Sequence, residues 1–288
     1  MIRRFALGIL ESQNGWTDPL GGFIQEKILQ PVFKPVHFLK DFLNGTWLGH
    51  SLHALLTDVP IGAFTAAVVL DILNVRAGAD VAIALGILGM LGAALAGWAD
   101  YTDANGKVRN YGTLHQLLML VALVLYIVSL GMRLGSGTLD RTLPITLSVV
   151  GYLIIAVSAY IGGEMVYGLG NMVDRHAFRA AGAKWAALDV ASIDPDKPTK
   201  AKAGAQTLVV VRKGERLFAL HDTCAHQGCS LSEGKLVSGN IIECPCHASR
   251  YELATGYVVQ GPSTFDQPRF EIRESQGKLE ARRAGQPE

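Results

Sequence analysis

Cys224-Ala225-His226 and, after the spacer 227–243, Cys244-Pro245-Cys246-His247 are the stretches that decide how this chain is read. Two thiolates and two imidazoles at this spacing are metal ligands. The set matches a [2Fe-2S] centre in which two histidines replace two cysteines on one iron. Tetrahedral zinc is the other chemistry that clustered Cys and His residues serve. Zinc fits less well, because its spacings favour a C-x₂₋₄-C knuckle over an alternating C-x-H, and two thiols would have no metal. The chain has four cysteines, and all of them, Cys224, Cys229, Cys244 and Cys246, fall inside this motif.

Residues 184–283 resemble a Rieske domain of the type found in the quinol-oxidising cytochrome bc complexes. The resemblance rests on Cys224-Ala225-His226-Gln227-Gly228-Cys229 and Cys244-Pro245-Cys246-His247-Ala248-Ser249-Arg250-Tyr251, each with an extra cysteine. It implies that Cys224 and Cys244 bind the inner iron, that His226 and His247 bind the outer iron, and that Cys229 pairs with Cys246. It also implies that Ser249 and Tyr251 hydrogen-bond a sulfide and a cysteine sulfur, withdrawing electron density and raising the potential. Ala248 stands where the family has Gly, so a local difference in backbone or cluster packing is expected. Gly261-Pro262 resembles the proline loop that covers the cluster from a third side. Without the resemblance, Ser249 and Tyr251 read equally as turn and loop residues, and Cys229 and Cys246 as free thiols.

The rest of this module reads as all-β. Thr207–Val211, Leu217–Leu220, Ile241–Cys244, Tyr257–Gln260 and Phe270–Arg273 are short strand patterns between Gly-rich or polar turns. Asp194–Gln206, polar and Lys-rich with two prolines, reads as a long surface loop.

The first 165 residues belong to a different solvent. Mean hydropathy is +0.26 and only 18 % of residues are charged, despite a polar C-terminal third. Val81–Ala99, Tyr111–Met132 and Leu143–Gly163 carry no charge at all, and each is long enough to cross a hydrocarbon core of about 30 Å. A fourth span, about Leu52–Val75, contains His53, Asp58 and Asp71; ionisable groups in such a span are costly and point to function. Asp71, near its end, reads as structural. Gly89, Ala93 and Gly97 recur at intervals of four and predict close helix approach in a compact bundle. Ahead of the bundle, Ile24, Ile28, Val32, Val36, Leu39 and Leu43 form a stripe interrupted by Pro31 and Pro35, as in a segment lying on a membrane surface.

The expected fold class is therefore an α-helical bundle of four transmembrane helices plus an all-β domain. Residues 1–48 form an N-terminal interfacial segment, 49–165 the four-helix domain, 166–183 a linker and 184–283 the Rieske domain. Four crossings place the N-terminus, the loop around 100–110 and the Rieske domain on one side. That side carries Lys34, Lys40, Lys107, Arg109, Arg175 and Arg179 near the helix ends, against Arg76, Arg133 and Arg141 on the other. The positive-inside rule makes the richer side cytoplasmic, opposite to the bc-complex arrangement. Arg3-Arg4 precedes only a short apolar run, so a cleaved secretory peptide is not expected.

The same topology gathers His50, His53, Asp58, Asp100, Asp103, His115, Glu164 and His176 at one end. This half resembles a small four-helix bacterial membrane domain of uncharacterised function. The match rests on Gly49-His50-Ser51-Leu52-His53, Thr57-Asp58-Val59-Pro60-Ile61-Gly62 and Gly97-Trp98-Ala99-Asp100-Tyr101-Thr102-Asp103. Three readings of the gathered residues stand side by side. His53 and His115 are candidate axial ligands of a haem b between helices. Asp58 or His50 is a candidate proton acceptor in a quinone pocket. In the third reading, the groups hydrogen-bond one another and lock the wet end of the bundle.

Together these features predict a membrane-anchored one-electron carrier between a membrane donor, such as a quinol, or a cytoplasmic donor, and an acceptor the sequence does not name, with the lipid bilayer and a redox partner protein or quinone as partners. A membrane redox or iron-sulfur sensor, and an electron-delivery subunit for a separate oxygenase or reductase, are the alternatives. A ring-hydroxylating oxygenase would need a further iron domain with two His and a carboxylate, for which the sequence after the motif leaves no room. A net charge of +1 gives no reason to invoke nucleic acid, and no nucleotide-binding glycine motif is present.

Overall fold

The computed structural model describes residues 2–135, 140–177 and 184–285. Arg179 and positions 178–183 of the expected linker lie outside the described residues. Contacts divide the chain into two compact units, Met1–Asn44 with Ser51–Asn171, and Gly45–His50 with Met172–Glu288.

The first unit opens with helices α1 (Ile2–Ser12), α2 (Asn14–Phe23), a π-helical segment Ile24–Leu29, α3 (Gln30–Phe33) and α4 (His37–Asn44). Pro31 lies where the π-helical segment passes into α3, and its missing N–H removes one bond from the helical ladder there. The apolar stripe is exposed at Ile28, Val32, Val36 and Leu39, while Gly21, Gln25, Leu29 and Phe33 are buried. Gln25 Nε2 donates to the carbonyls of Tyr101 (2.6 Å) and Ala104 (2.7 Å). Apolar residues outside and an amide inside is the arrangement expected of a segment against lipid.

Four long helices follow: α5 (Leu52–Ile72), α6 (Arg76–Tyr101), α7 (Gly106–Gly135) and α8 (Thr142–Gly163), the last continued by a π-helical turn Glu164–Gly168. All four are long and apolar enough to cross a membrane; at about 1.5 Å per residue the shortest covers about 32 Å. α5 pairs with α6 and α7 with α8, giving two helical hairpins. The small-residue stripe of α6 faces α5. An added Cβ would meet Val59 at Gly89 (2.8 Å) and the His53 ring at Gly97 (2.9 Å), so bulkier residues would push the helices apart. At mid-bundle the rings of Phe64 and Tyr126 stack with centroids 3.7 Å apart.

Asp71, read from sequence as structural, has a specific partner. It accepts two hydrogen bonds from Arg133, both 2.7 Å, with the two side chains 7 % and 0 % exposed. Asp80 takes a longer contact from Arg133 (3.3 Å) and a two-pronged one from Arg141 (2.8 and 2.9 Å). This network holds α5, α6 and α7 to the start of α8.

The second unit is built around a closed barrel of six strands. They are β1 (Ala186–Asp189), β2 (Thr199–Ala203), β3 (Gln206–Lys213), β4 (Arg216–His221), β9 (Arg269–Ser275) and β10 (Lys278–Arg283), in the order β1-β10-β9-β4-β3-β2. Between β4 and β9 a four-stranded sheet is inserted, β5 (Lys235–Ser238), β6 (Ile241–Glu243), β7 (Arg250–Glu252) and β8 (Val258–Gln260). The continuous apolar run of β3 has a clear cause: Leu208 and Val210 face the barrel core, and Val209 and Val211 pack with Leu220, Leu231, Ile242 and Tyr251 under the inserted sheet. A strand buried on both faces loses its polar alternation.

The stretch Asp194–Gln206 is not one long loop, because Thr199–Ala203 forms β2. Its alternation is real but quiet: Ala201 and Ala203 are buried between exposed Lys200 and Lys202, and neither Ala nor Lys favours strands.

Candidate metal centre

Two loops of the inserted sheet carry the sequence motif, one between β4 and β5, the other between β6 and β7. Each begins with its first cysteine bonded to the turn behind it. Cys224 N–H donates to Cys229 O (2.8 Å) and Gly228 N–H to Cys224 O (2.9 Å); Cys244 N–H donates to Ser249 O (2.8 Å) and Ala248 N–H to Cys244 O (3.1 Å). The two loops are thus near-copies, each presenting a thiol and, two or three residues on, an imidazole. They are joined by the Cys229–Cys246 disulfide.

Cys224 and Cys244 are buried free thiols, and the rings of His226 and His247 lie beside each other, centroids 4.9 Å apart and nearly perpendicular. The two thiols act on each other. Cys244 is held down to about 7, first by its interaction with Cys224 and then, against burial, by the N–H groups of Cys246 and His247; the same interaction and burial push Cys224 up. Backbone donors aimed at a sulfur favour the thiolate that binds metal. Two converging buried thiols and two adjoining imidazoles fit a two-iron cluster with sulfur ligands on one iron and nitrogen ligands on the other. Zinc would take four ligands but leave this two-sided arrangement without a reason.

Tyr251 and Ser249 take different positions around the thiols. Tyr251 Oη is 3.2 Å from Cys224 Sγ. Burial and then the neighbouring Cys224 charge push the phenol well above its ordinary value, so it stays protonated and donates. Ser249 Oγ accepts from Ser263 N–H (3.0 Å), which turns its own proton elsewhere. Ser263 follows Gly261-Pro262, joined by a cis peptide bond, and the segment 261–264 is buried. Ala248 has φ +60°, so the loop keeps a left-handed residue where a side chain is disfavoured.

Gln267 escaped sequence reasoning. Its Nε2 donates to the carbonyls of His221 (2.5 Å) and Thr223 (2.6 Å), and its Oε1 accepts from Ala225 N–H (2.9 Å). One buried amide therefore fixes the backbone on both sides of Cys224. A lone Gln in a polar loop gives no signal of this. His176, grouped from sequence with the membrane histidines, belongs to this unit, with Nε2 2.9 Å from Thr223 O.

The other gathered residues separate. Glu164 takes two hydrogen bonds from Arg3 (3.0 and 2.6 Å), Asp103 pairs with Lys40 (2.6 Å) and Asp100 accepts from Ser51 (2.7 Å). His53 and His115 come together, centroids 6.3 Å apart. Asp58 is exposed and, five residues after His53 on one helix, points about 140° away from it. His50 is exposed and belongs to the second unit.

Residues 184–271 match the family described as Rieske [2Fe-2S] domain, and residues 49–175 the family described as Predicted membrane protein (DUF2231). Ferredoxin CarAc of Metapseudomonas resinovorans is 38 % identical over 78 residues, 27 % of this chain and 72 % of that protein. The anthranilate 1,2-dioxygenase ferredoxin subunit of Burkholderia cepacia is 36 % identical over 30 % of this chain and 78 % of its own length. The biphenyl dioxygenase ferredoxin subunit of Pseudomonas sp. (strain KKS102) is 30 % identical over 26 % and 70 %. The chain belongs to the Rieske [2Fe-2S] domain family, here joined to a DUF2231 membrane-protein domain. It is a ferredoxin-like electron carrier with a [2Fe-2S] cluster. The extra cysteine of each loop is engaged in the Cys229–Cys246 disulfide.

Proposed function

We propose that this protein is a membrane-anchored one-electron carrier, with Cys224 and Cys244 holding one iron of its cluster and His226 and His247 the other. When bound, the cluster supplies a reversible one-electron change. The observation that carries the reading is the asymmetry of the site: both thiols and His226 are buried, whereas His247 is half-buried beside exposed Pro245 and Cys246. Electrons then enter and leave at His247, where a partner can dock. The chain's own groups set the conditions. Tyr251 donates to Cys224 Sγ, Gln267 fixes the first loop, and the disulfide clamps the two loops together.

The dioxygenase names of the relatives support an oxygenase-type oxidoreductase as electron acceptor, and the four apolar helices support anchoring in a bilayer. The donor is a quinol or a reductase. For a quinol, Asp58 on the exposed face of α5 is the candidate proton acceptor. The cation bias at Lys34, Lys40, Lys107, Arg109 and Arg175 supports a cytoplasmic cluster domain. The test is cluster reduction in proteoliposomes by a quinol, or by NADH with a ferredoxin reductase. If Asp58→Asn abolishes quinol reduction but spares reduction by dithionite, the donor is a quinol; if neither donor reduces the cluster, the carrier reading fails.

A further inference from the structure

His53 and His115 do not stand alone in the bundle; they repeat a layer that the bundle already contains. Three helical turns along, at residues 64 and 126, stand Phe64 and Tyr126. Phe64 packs on Gly86 of α6 and Tyr126 on Gly151 of α8. His53 packs on Gly97 of α6, where an added Cβ would lie 2.9 Å from its ring, and His115 faces Gly162 of α8 at 3.6 Å. Each residue of one layer is eleven positions from its counterpart in the other, forward on α5 and α7, backward on α6 and α8. The layers are thus about 16 Å apart along the bundle.

The two hairpins are also related to each other. His115 and Tyr126 follow His53 and Phe64 by 62 residues, and Gly151 and Gly162 follow Gly86 and Gly97 by 65. Hydrogen bonding obeys the same relation. His53 Nδ1 lies 2.7 Å from Ala93 O and His115 Nδ1 2.9 Å from Ser158 O, in each case the carbonyl four residues before the glycine. A carbonyl only accepts, so Nδ1 carries the hydrogen and Nε2 presents its lone pair. Among the described residues neither Nε2 has a hydrogen-bond partner.

Where Phe64 and Tyr126 close the core by stacking at 3.7 Å, the two imidazoles stand 6.3 Å apart and at 87°. Edge-to-face contact alone accounts for that distance, since such pairs span about 4.5–7 Å. It does not account for two nitrogens, on half-buried rings of membrane-spanning helices, that lack a partner among the described residues. An ion bound by both does: two metal–nitrogen bonds of about 2.0–2.1 Å, with ring radii of about 1.1 Å, put the centroids about 6.3 Å apart. Two ligands are too few for a bare ion, and no third His, Cys, Asp or Glu joins them among the described residues. Iron in a porphyrin brings its own four equatorial nitrogens and needs two more, one from each face. A quinone carbonyl needs a donor, which neither Nε2 provides.

We propose that the membrane unit binds one b-type haem between its two hairpins, with His53 and His115 as axial ligands fixed by the carbonyls of Ala93 and Ser158. The site lies on the relation between the hairpins and does not depend on the cluster reading. The test uses the full-length chain purified in detergent from cells supplied with iron and a haem precursor. Pyridine haemochrome gives haem per chain, and EPR of the same sample gives the [2Fe-2S] signal. About one b haem per chain with low-spin bands is expected. His53→Ala and His115→Ala each lower it at least tenfold with the cluster signal unchanged, and His115→Met, which keeps an iron ligand, retains haem with shifted bands. A chain with an intact cluster that takes up no haem, alanine variants that keep the wild-type spectrum, or zinc or a quinone as the only occupant overturns the proposal. Haem absent with the cluster present leaves the carrier reading standing, and the reverse result removes that reading alone.

Discussion

Replacing Tyr251 by Phe removes one hydroxyl from a fully buried ring and leaves the packing with Val209, Leu220 and Ile242 in place. The hydroxyl donates to Cys224 Sγ at 3.2 Å, and a hydrogen bond to a charged acceptor is worth about 1.5–3 kcal/mol. Only the part that differs between the oxidation states moves the potential. The reduced site carries one more negative charge, so the bond is stronger there; taking about half of its worth as the difference gives about 0.8–1.5 kcal/mol. At about 59 mV per 1.4 kcal/mol for one electron, the midpoint falls by about 30–60 mV. A spectroscopic redox titration of the full-length protein, wild type against Tyr251→Phe, measures it. An unchanged or higher midpoint with full cluster content would refute the claim that this hydroxyl stabilises the reduced site.

Other expectations follow from the same geometry. Ala248→Gly relieves a left-handed residue and stabilises the cluster domain by about 1 kcal/mol, seen as a cluster-bleaching midpoint several degrees higher. Gln267→Leu leaves Ala225 N–H and the carbonyls of His221 and Thr223 without their shared partner; at about 1–3 kcal/mol for a stranded buried group, iron content after purification drops clearly below wild type. Arg133→Met strands Asp71 beside Asp80 and costs about 3–5 kcal/mol, read as loss of thermal stability in detergent, whereas Arg133→Met with Asp71→Leu recovers part of it. Cys229→Ser opens a loop closed over a sequence separation of 17, a loss of about 3 kcal/mol, and shortens the lifetime of the cluster on warming.

How far the sequence could be read depended on where each signal resided. The proposed cluster ligands are close in sequence and chemically distinctive, and the fold places Cys224 and Cys244 as buried thiols and the rings of His226 and His247 side by side. The helices were equally legible, because charge-free spans of that length have few other uses. Relations between distant segments were not. The partner of Asp71 lies on another helix, at Arg133, and nothing in either residue names the other. Strand β2 was hidden by residues that do not favour strands, and the bracing role of Gln267 by the silence of a single amide. The stripe before the bundle was visible as a periodicity, yet only the fold showed that its opposite side, through Gln25, Leu29 and Phe33, packs against the helices. The eleven-residue relation between the Phe64–Tyr126 and His53–His115 layers requires four helices in register at once, which no single stretch contains.

The central claim is a cluster with mixed sulfur and nitrogen ligation in this chain, and the most direct measurement is EPR with nitrogen hyperfine spectroscopy on the dithionite-reduced full-length protein, together with iron and sulfide analysis. About two irons and about two acid-labile sulfides per chain, with a one-electron signal coupled to two imidazole nitrogens that vanishes in His226→Ala and His247→Ala, is the result predicted. Stoichiometric zinc without an EPR signal, or a cluster signal free of nitrogen coupling, would contradict it.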